Sequence, residues 1–292
     1  MSELKNDILE ALKKNRPNLS ASSLKTYSSL LTSLYRTLEG KNGLEFFNNV
    51  DKILNHIKTF DKAQTRKTIL SCLFVLTGDE TYRDEMHENI KEVNDFYKEQ
   101  KNSPERLEKL KSLDEIISIH NQFREKYKKN PTIDNTVDLI ISYLVSGVLG
   151  EELPPRRILD YSLMKINLKN IDREKDNYIS NGVFYFNQYK TKDRHGSQSI
   201  KIPKELNTLI NKWKKINESD YLLLNEKGEP FTSTSLSKKV SRMFDGNSMD
   251  MLRSIFLSNY YKDLPQLDKM NALAYKMGHT TQTALNYYVK KD

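Results

Sequence analysis

Residues 248–292 read SMDMLRSIFLSNYYKDLPQLDKMNALAYKMGHTTQTALNYYVKKD, and the order of polar side chains here decides how the rest of the chain is read. Arg253 sits inside an apolar helical pattern made by Met251, Leu252, Ile255, Phe256 and Leu257. Met277-Gly278-His279 closes a second helix, since glycine is the residue that most readily ends one. A threonine-rich segment then leads to the pair Tyr287 and Tyr288, the latter nine residues after His279.

The totals bound what such a stretch can belong to. A chain of 292 residues predicts two domains. Apolar side chains make up only 37% but cluster periodically, enough to bury a core. No stretch approaches the roughly 20 apolar residues of a membrane span, and the charged start MSELKNDILEALKK has no apolar signal-peptide core. The single cysteine, Cys72, lies in the apolar run ILSCLFVL and reads as a buried small side chain in a reducing compartment. It excludes an internal disulfide or a cysteine zinc site, and neither metal nor cofactor is expected. The net charge of +8 favours an acidic partner. Residues 1–100 carry 15 basic and 15 acidic groups, leaving 32 of the 47 basic and 24 of the 39 acidic groups for the remainder.

Upstream, residues 18–40 predict a helix capped by Ser20 and stopped by Gly40 at C′, with Leu24, Tyr27, Leu31, Leu34 and Leu38 at helical spacing. A second helix carries Ile53, Leu54, Ile57 and Phe60, and a third runs from Lys62 to Thr77 with Gly78 as its stop. The polar start of the third, Thr65-Arg66-Lys67-Thr68, suits phosphate contacts and equally suits a solvated helix face. An acidic helix follows over residues 80–99 (Asp84, Glu85, Glu88, Glu92, Asp95, Glu99), better placed against another protomer than against a polyanion. Asn102-Ser103-Pro104 marks a break and a domain boundary, giving domains 1–103 and 104–292. Helical patterning resumes at Leu113 and ends at Gly150 and Pro154-Pro155, before Arg156-Arg157-Ile158-Leu159-Asp160. Strands are predicted over Met164–Ile171, Val183–Tyr189 and Ser197–Pro203, the last two flanking a basic turn, Lys190 to Gly196, that includes Lys192 and Arg194. Helices then continue to the end, broken near 225–228 and 245–247. The fold class is mainly α with a small antiparallel β-sheet.

Arg157 with Asp160 three residues on, Lys190 at a hairpin, Arg253, and His279 followed by Tyr288 stand in the order of the tyrosine recombinases, the phage- and virus-type integrase superfamily. Residues 113–292 resemble that family's α+β catalytic domain, and residues 1–103 resemble its helical core-binding domain. The resemblance implies that Arg157 and Arg253 bind a DNA phosphate, with Arg156 the competing candidate for the first arginine. Asp160 would hold that arginine in place. Lys190, with Lys192 as runner-up, would protonate the departing 5′ oxygen, and His279 would assist Tyr288, the nucleophile, with Tyr287 as the alternative. Thr65, Arg66, Lys67 and Arg194 are candidate DNA contacts. The position that usually holds a second histidine, three before Arg253, is Asp250.

These residue types fit the chemistry. A phosphodiester under attack gains charge on its equatorial oxygens, which planar guanidiniums hold with paired, charge-assisted hydrogen bonds. The resemblance therefore implies a site-specific recombinase or integrase that cleaves and rejoins duplex DNA through a 3′-phosphotyrosyl intermediate. Its two domains would clamp the duplex, a homo-tetramer would assemble on DNA, and the setting would be intracellular: bacterial cytoplasm, or host nucleus or cytoplasm for a viral or mobile-element protein. A type IB topoisomerase-like enzyme, or an inactive architectural DNA binder suggested by Asp250, are the alternatives. Val289 to Asp292 span at most about 14 Å extended, so the expectation is that protomers are coupled through the acidic helix rather than a swapped C-terminal helix.

Overall fold

The computed structural model describes residues 2–99, 102, 104–167, 169, 171–263 and 267–289. The chain divides into two compact units, Met1–Glu99 and Gln100–Asp292. Of the expected boundary Asn102-Ser103-Pro104, Ser103 lies outside the described residues, as do Lys290, Lys291 and Asp292 of the tail.

The first unit is helical: α1 (Ser2–Asn15), α2 (Ala21–Thr37), α3 (Val50–Ile57), α4 (Ala63–Thr77) and α5 (Glu80–Lys98). The charged N-terminal stretch, which carried no predicted element, forms α1 because Leu4, Ile8 and Leu12 recur every fourth residue and bury together. Ser20 caps α2 as expected, its hydroxyl accepting from the Ser23 N–H at 3.1 Å. The left-handed residue after α2 is Glu39 (φ 49°), not Gly40. Gly40 is needed for a different reason: a Cβ there would come within 2.5 Å of the Tyr35 ring. Gly78 does end α4 with φ 74°. Phe47, Ile53, Leu70, Leu73 and Tyr82 fill the core, and Cys72 is buried among them.

The second unit opens with the short turn α6 (Pro104–Leu107), then α7 (Leu113–Lys129) and α8 (Ile133–Val145). Ser112 and Glu115 form a reciprocal capping box at the start of α7. Helix α8 is buried from Asn135 to Val145, its polar Asn135, Thr136, Asp138 and Ser142 included. A three-stranded antiparallel sheet follows, in the order β1 (Tyr178–Ser180), β2 (Val183–Phe186), β3 (Gln198–Lys201), with Phe184 opposite both Ile179 and Ile200. Four longer helices complete the unit: α10 (Lys204–Ile216), α11 (Ser233–Met243), α12 (Met249–Tyr260) and α13 (Leu267–Lys276). The single turn α9 (Lys192–His195), in the hairpin, precedes them, and the single turn α14 (Thr281–Thr283) follows them. Trp213, Phe184, Phe186, Tyr161 and Leu222 centre the core. The architecture is mainly α with a small antiparallel sheet, as the sequence predicts. Among the described residues no helix is long and apolar enough to cross a membrane.

The strands need two corrections. No strand forms over Met164–Ile171 among the described residues; Lys165 makes only isolated bridges to Tyr178 and Tyr221. The partner of β2 on that side is β1, which carried no predicted strand. Strand β2 ends at Phe186 rather than Tyr189 because the side chain of Asn177 takes over the backbone. Its Oδ1 accepts from the amides of Asn187 and Gln188, both at 2.7 Å. Its Nδ2 donates to the carbonyls of Asp160 (2.8 Å) and Gln188 (2.7 Å). One buried amide thus ties the turn that follows the two arginines, Ile158–Tyr161, to the hairpin. Asn177→Ala leaves several buried backbone groups without partners, so a loss of about 2–4 kcal/mol is expected in chemical denaturation. A change below about 0.5 kcal/mol would mean the hairpin holds its place without Asn177.

Candidate active site

The site is assembled on the C-terminal end of α13. Beyond Lys276 the chain makes the paired bonds of a Schellman turn: Gly278 N–H donates to Tyr275 O at 3.0 Å and His279 N–H to Ala274 O at 3.1 Å. Gly278 has φ 71°, which glycine adopts without steric cost. The carbonyls of this end carry the partial negative charge of the helix dipole, and cationic and polar side chains from three other segments converge on them. Lys276 O accepts from Arg156 Nη1 at 3.1 Å and Met277 O from Arg253 Nη2 at 3.2 Å. Gly278 O accepts from Thr191 Oγ1 at 2.8 Å and from Arg157 Nη1 at 3.4 Å, and Tyr275 O accepts from Gln198 Nε2 at 3.0 Å.

The two neighbouring arginines have different environments. Arg156 is 0% exposed. Its Nε donates to Asp160 Oδ2 at 2.6 Å and its Nη1 to Gln198 Oε1 at 2.7 Å, while its guanidinium carbon lies 4.2 Å and 4.5 Å from the ring centroids of Phe186 and Tyr189. Arg157 is half-buried, and the 3.4 Å contact with Gly278 O is the one hydrogen bond from its guanidinium among the described residues. The sequence reading, in which Asp160 holds Arg157, is corrected here: the ion pair belongs to Arg156. Arg157 is the N-cap of the 3₁₀ turn Ile158–Tyr161 and reaches Gly278 O instead, whereas Arg156, one residue earlier, reaches back to the carboxylate.

Arg253, on the buried face of α12, is 0% exposed and donates through Nη1 to the Tyr288 hydroxyl at 2.8 Å. The Tyr288 ring lies under the same guanidinium (4.4 Å to the centroid) and stacks on the His279 ring at 5.3 Å. Tyr288 closes a π-helical turn, Ala284–Tyr288, and its carbonyl accepts from Ser254 Oγ and, at 3.3 Å, from Ser258 Oγ. Burial pushes Arg253 down to about 10, opposed by the neighbouring Tyr288, so it stays charged at neutral pH. Burial first, and then the charge of Arg253, push His279 down to about 3. Its imidazole is therefore neutral, with Nδ1 against Thr280 O at 3.0 Å and Nε2 buried without a partner among the described residues. Arg253 Nε and Arg156 Nη2 are likewise buried and unpartnered. The two leftover guanidinium N–H groups make the pocket rich in positive charge, while the bare Nε2 of the neutral imidazole is an acceptor.

No protein-family model matches the chain, and no curated protein does. Solved structures match along nearly its full length. A lambda integrase (75–356) dimer bound to a COC′ core site covers 96% of this chain and 94% of that chain, with 15% identity and a TM-score of 0.55. Lambda integrase (75–356) bound to DNA covers 96% and 93%, with 17% identity and a TM-score of 0.51. A lambda integrase tetramer bound to a Holliday junction covers 96% and 76%, with 15% identity and a TM-score of 0.53. The chain has the tyrosine recombinase fold.

On this recombinase fold the other sequence candidates are scattered. Lys190 is exposed and Lys192 half-buried on the hairpin connection, beside the exposed Arg194. Asp250 is exposed in the first turn of α12, and Tyr287 is 41% exposed. In the first unit Arg66 is consumed internally: it donates to Asn89 Oδ1 (2.7 Å), Phe60 O (2.7 Å), Asp61 O (3.0 Å) and Glu92 (2.5 Å). As a DNA contact it is corrected to a tie between α4 and α5; Thr65 and Lys67 are half-buried on the same turn. The sequence reading missed Thr191, Gln198 and Ser258 as parts of the site. Of these only Ser258 carried a signal, lying one helical turn after Ser254. Among the described residues no group of three or more His, Cys, Asp or Glu side chains converges as a metal site.

The depressed His279 has a measurable consequence. In the unfolded chain its pKa is near 6.5 and in the fold about 3, so acid protonates the unfolded form preferentially. Its contribution to stability is complete above 6.5 and is lost as pH falls toward 3. His279→Asn should therefore lose stability less steeply than the parent across that window in urea titrations. Parallel curves would show that the buried imidazole is not the titrating group.

Proposed function

We propose that this chain is a DNA strand-transfer enzyme in which Tyr288 is the nucleophile and Arg157 and Arg253 hold the scissile phosphate. The observation that carries this reading is the hydrogen bond from Arg253 to the Tyr288 hydroxyl, made in a buried pocket with unsatisfied cationic donors. Arg157 is the arginine we assign to substrate, since it is the half-exposed member of the pair and the one that affects the electrostatics of both Arg253 and His279. Tyr288 is preferred to Tyr287 because its hydroxyl meets Arg253.

In the proposed reaction the Tyr288 oxygen attacks phosphorus, the P–O5′ bond breaks, and a 3′-phosphotyrosine forms. The phenolic proton passes to a base, a role we assign to His279, whose ring stacks on that of Tyr288. Lys190 protonates the leaving 5′ oxygen. Attack by a 5′ hydroxyl reverses these steps and reseals the strand, with the bond energy kept in the phosphotyrosine. Guanidiniums fixed in a dry pocket favour the charge-rich transition state over the resting diester, and one such donor is typically worth about 3–4 kcal/mol. The working assembly in this reading is a tetramer on duplex DNA inside a cell, with Asp84, Glu85 and Glu88 of α5 meeting a basic surface of the next subunit.

A nicked suicide duplex built from inverted repeats flanking the gene tests the reading. The parent protein should form a covalent protein–DNA adduct, Tyr288→Phe should form none, and Tyr287→Phe should still form it. Arg157→Ala and Arg253→Ala should each lower the adduct rate by about 100-fold or more, with duplex binding reduced only modestly because other Lys and Arg contacts carry affinity. Adduct from Tyr288→Phe but not Tyr287→Phe would reverse the assignment. Binding without any adduct from the parent protein would instead point to an architectural DNA binder.

A further inference from the structure

Arg156 is as fully enclosed as Arg253, but its partners hold it away from the Tyr288 hydroxyl, which Arg253 meets. It is 0% exposed, lies between two aromatic rings, and is bonded to Asp160, Gln198 and the Lys276 carbonyl. It also packs so closely under Gly278 that a Cβ there would lie 3.1 Å from its Nη2. Its partners come from four of the segments around the pocket: the turn that carries Asp160, β2 and the hairpin, β3, and the end of α13.

Asp160 explains why a second arginine is needed. This carboxylate is 4% exposed and lies within the electrostatic reach of Arg156, Arg157 and Arg253. Burial pushes its pKa up, and those three cations act to pull it back. A buried carboxylate of this kind takes the nearest available guanidinium, since an unpaired charge in the interior is strongly disfavoured. Arg157, its neighbour in the same turn, is the next in line. We propose that Arg156 is a positioning residue that satisfies Asp160 and thereby keeps the Arg157 guanidinium free to face a phosphate. The same contacts lock the hairpin against the Gly278–His279 turn, because Gln198 accepts from Arg156 and donates to Tyr275 O. Arg156 thus acts through Arg157. The inference rests on the strand-cleavage reading for its catalytic consequence, but the state of Arg157 can be read without any reaction.

Phenylglyoxal labelling of the full chain, followed by peptide mapping, reports that state directly. In the parent protein Arg157 should label and Arg156 should not. In Arg156→Met the Arg157 side chain should turn to Asp160, and its labelling rate should drop by about 10-fold. In the double variant Arg156→Met/Asp160→Asn, with no carboxylate to capture it, Arg157 should label within about 2-fold of the parent rate. A merely structural Arg156 would not give this pattern, since loosened packing raises Arg157 labelling in the single variant. Adduct formation should follow the same order, falling about 100-fold in the single variant and recovering at least about 10-fold in the double. Equal or faster Arg157 labelling in Arg156→Met overturns the proposal, as does a double variant no more reactive than the single. Should Arg156→Met fail to fold, Arg156→Lys carries the test. Lysine still neutralises Asp160, so Arg157 should label as in the parent, and protection of Arg157 there would overturn the proposal. If the labelling pattern holds while the parent forms no adduct, the strand-cleavage reading is what fails.

Discussion

The site depends on one helix end. The last carbonyls of α13 cannot be satisfied within the helix, and each one from Tyr275 to Gly278 takes a donor from elsewhere in the unit: Gln198, Arg156, Arg253, and jointly Thr191 and Arg157. The exchange is mutual. The carbonyls gain partners, and the guanidiniums gain a negative dipole end that lets them be buried near one another. Gly278 makes this possible in two ways. Its left-handed backbone turns the carbonyls outward, and its missing side chain leaves room for Arg156 beneath. A residue with a Cβ would oppose both, so the Gly-His pair is a packing requirement before it is a chemical one.

The pocket is deliberately short of negative charge. Three arginines share one buried carboxylate, and that carboxylate is ion-paired to Arg156. Backbone carbonyls and aromatic faces hold the cations without neutralising them. Such partners stabilise a guanidinium less than a carboxylate would, which is why burial lowers Arg253 and drives His279 to its neutral form. In the proposed reaction an incoming phosphate would oppose both shifts. In that reading the folded protein carries the cost of burying uncompensated positive charge in advance, and the gain would appear when a phosphate enters.

How much of this the sequence disclosed follows from what kind of signal each residue left. Helices with caps and periodic apolar faces, such as α2 behind Ser20 and α4 before Gly78, were legible because their determinants are local. Helix α1 was equally written in Leu4, Ile8 and Leu12 but was masked by the charges between them. The stretch from Met164 alternates like a strand, yet its alternation reflects a segment packed against several neighbours. The short β1 is fixed by pairing with β2 rather than by its own composition. At the site, the order of Arg157, Arg253, His279 and Tyr288 was visible because each lies beside a recognisable neighbour. The partner of Asp160 was not. Arg156 and Arg157 are chemically identical, and only the 3₁₀ turn after Pro155 decides which of them folds back. Gln198 and Thr191 left no signal, since their roles exist only once the hairpin meets α13.

Helix α12 shows how the pocket couples its two halves. Arg253, Ser254 and Ser258 lie on one rigid element: the first meets the Tyr288 hydroxyl, and the other two hold the Tyr288 carbonyl. The π-helical turn that ends at Tyr288 leaves that carbonyl pointing at α12, so both ends of the tyrosine are referenced to the same helix. In the proposed reaction the nucleophile and one phosphate-binding group therefore keep a fixed separation. A phosphate oxygen that replaces the phenol on Arg253 Nη1 would find the phenol displaced but still tethered through its backbone. Reach is what a strand-transfer nucleophile needs most, since an oriented attack within one rigid frame can supply several kcal/mol of the barrier. The serines thus extend the role of Arg253: the guanidinium marks where the phosphate goes, and the hydroxyls keep the attacking oxygen within range of it.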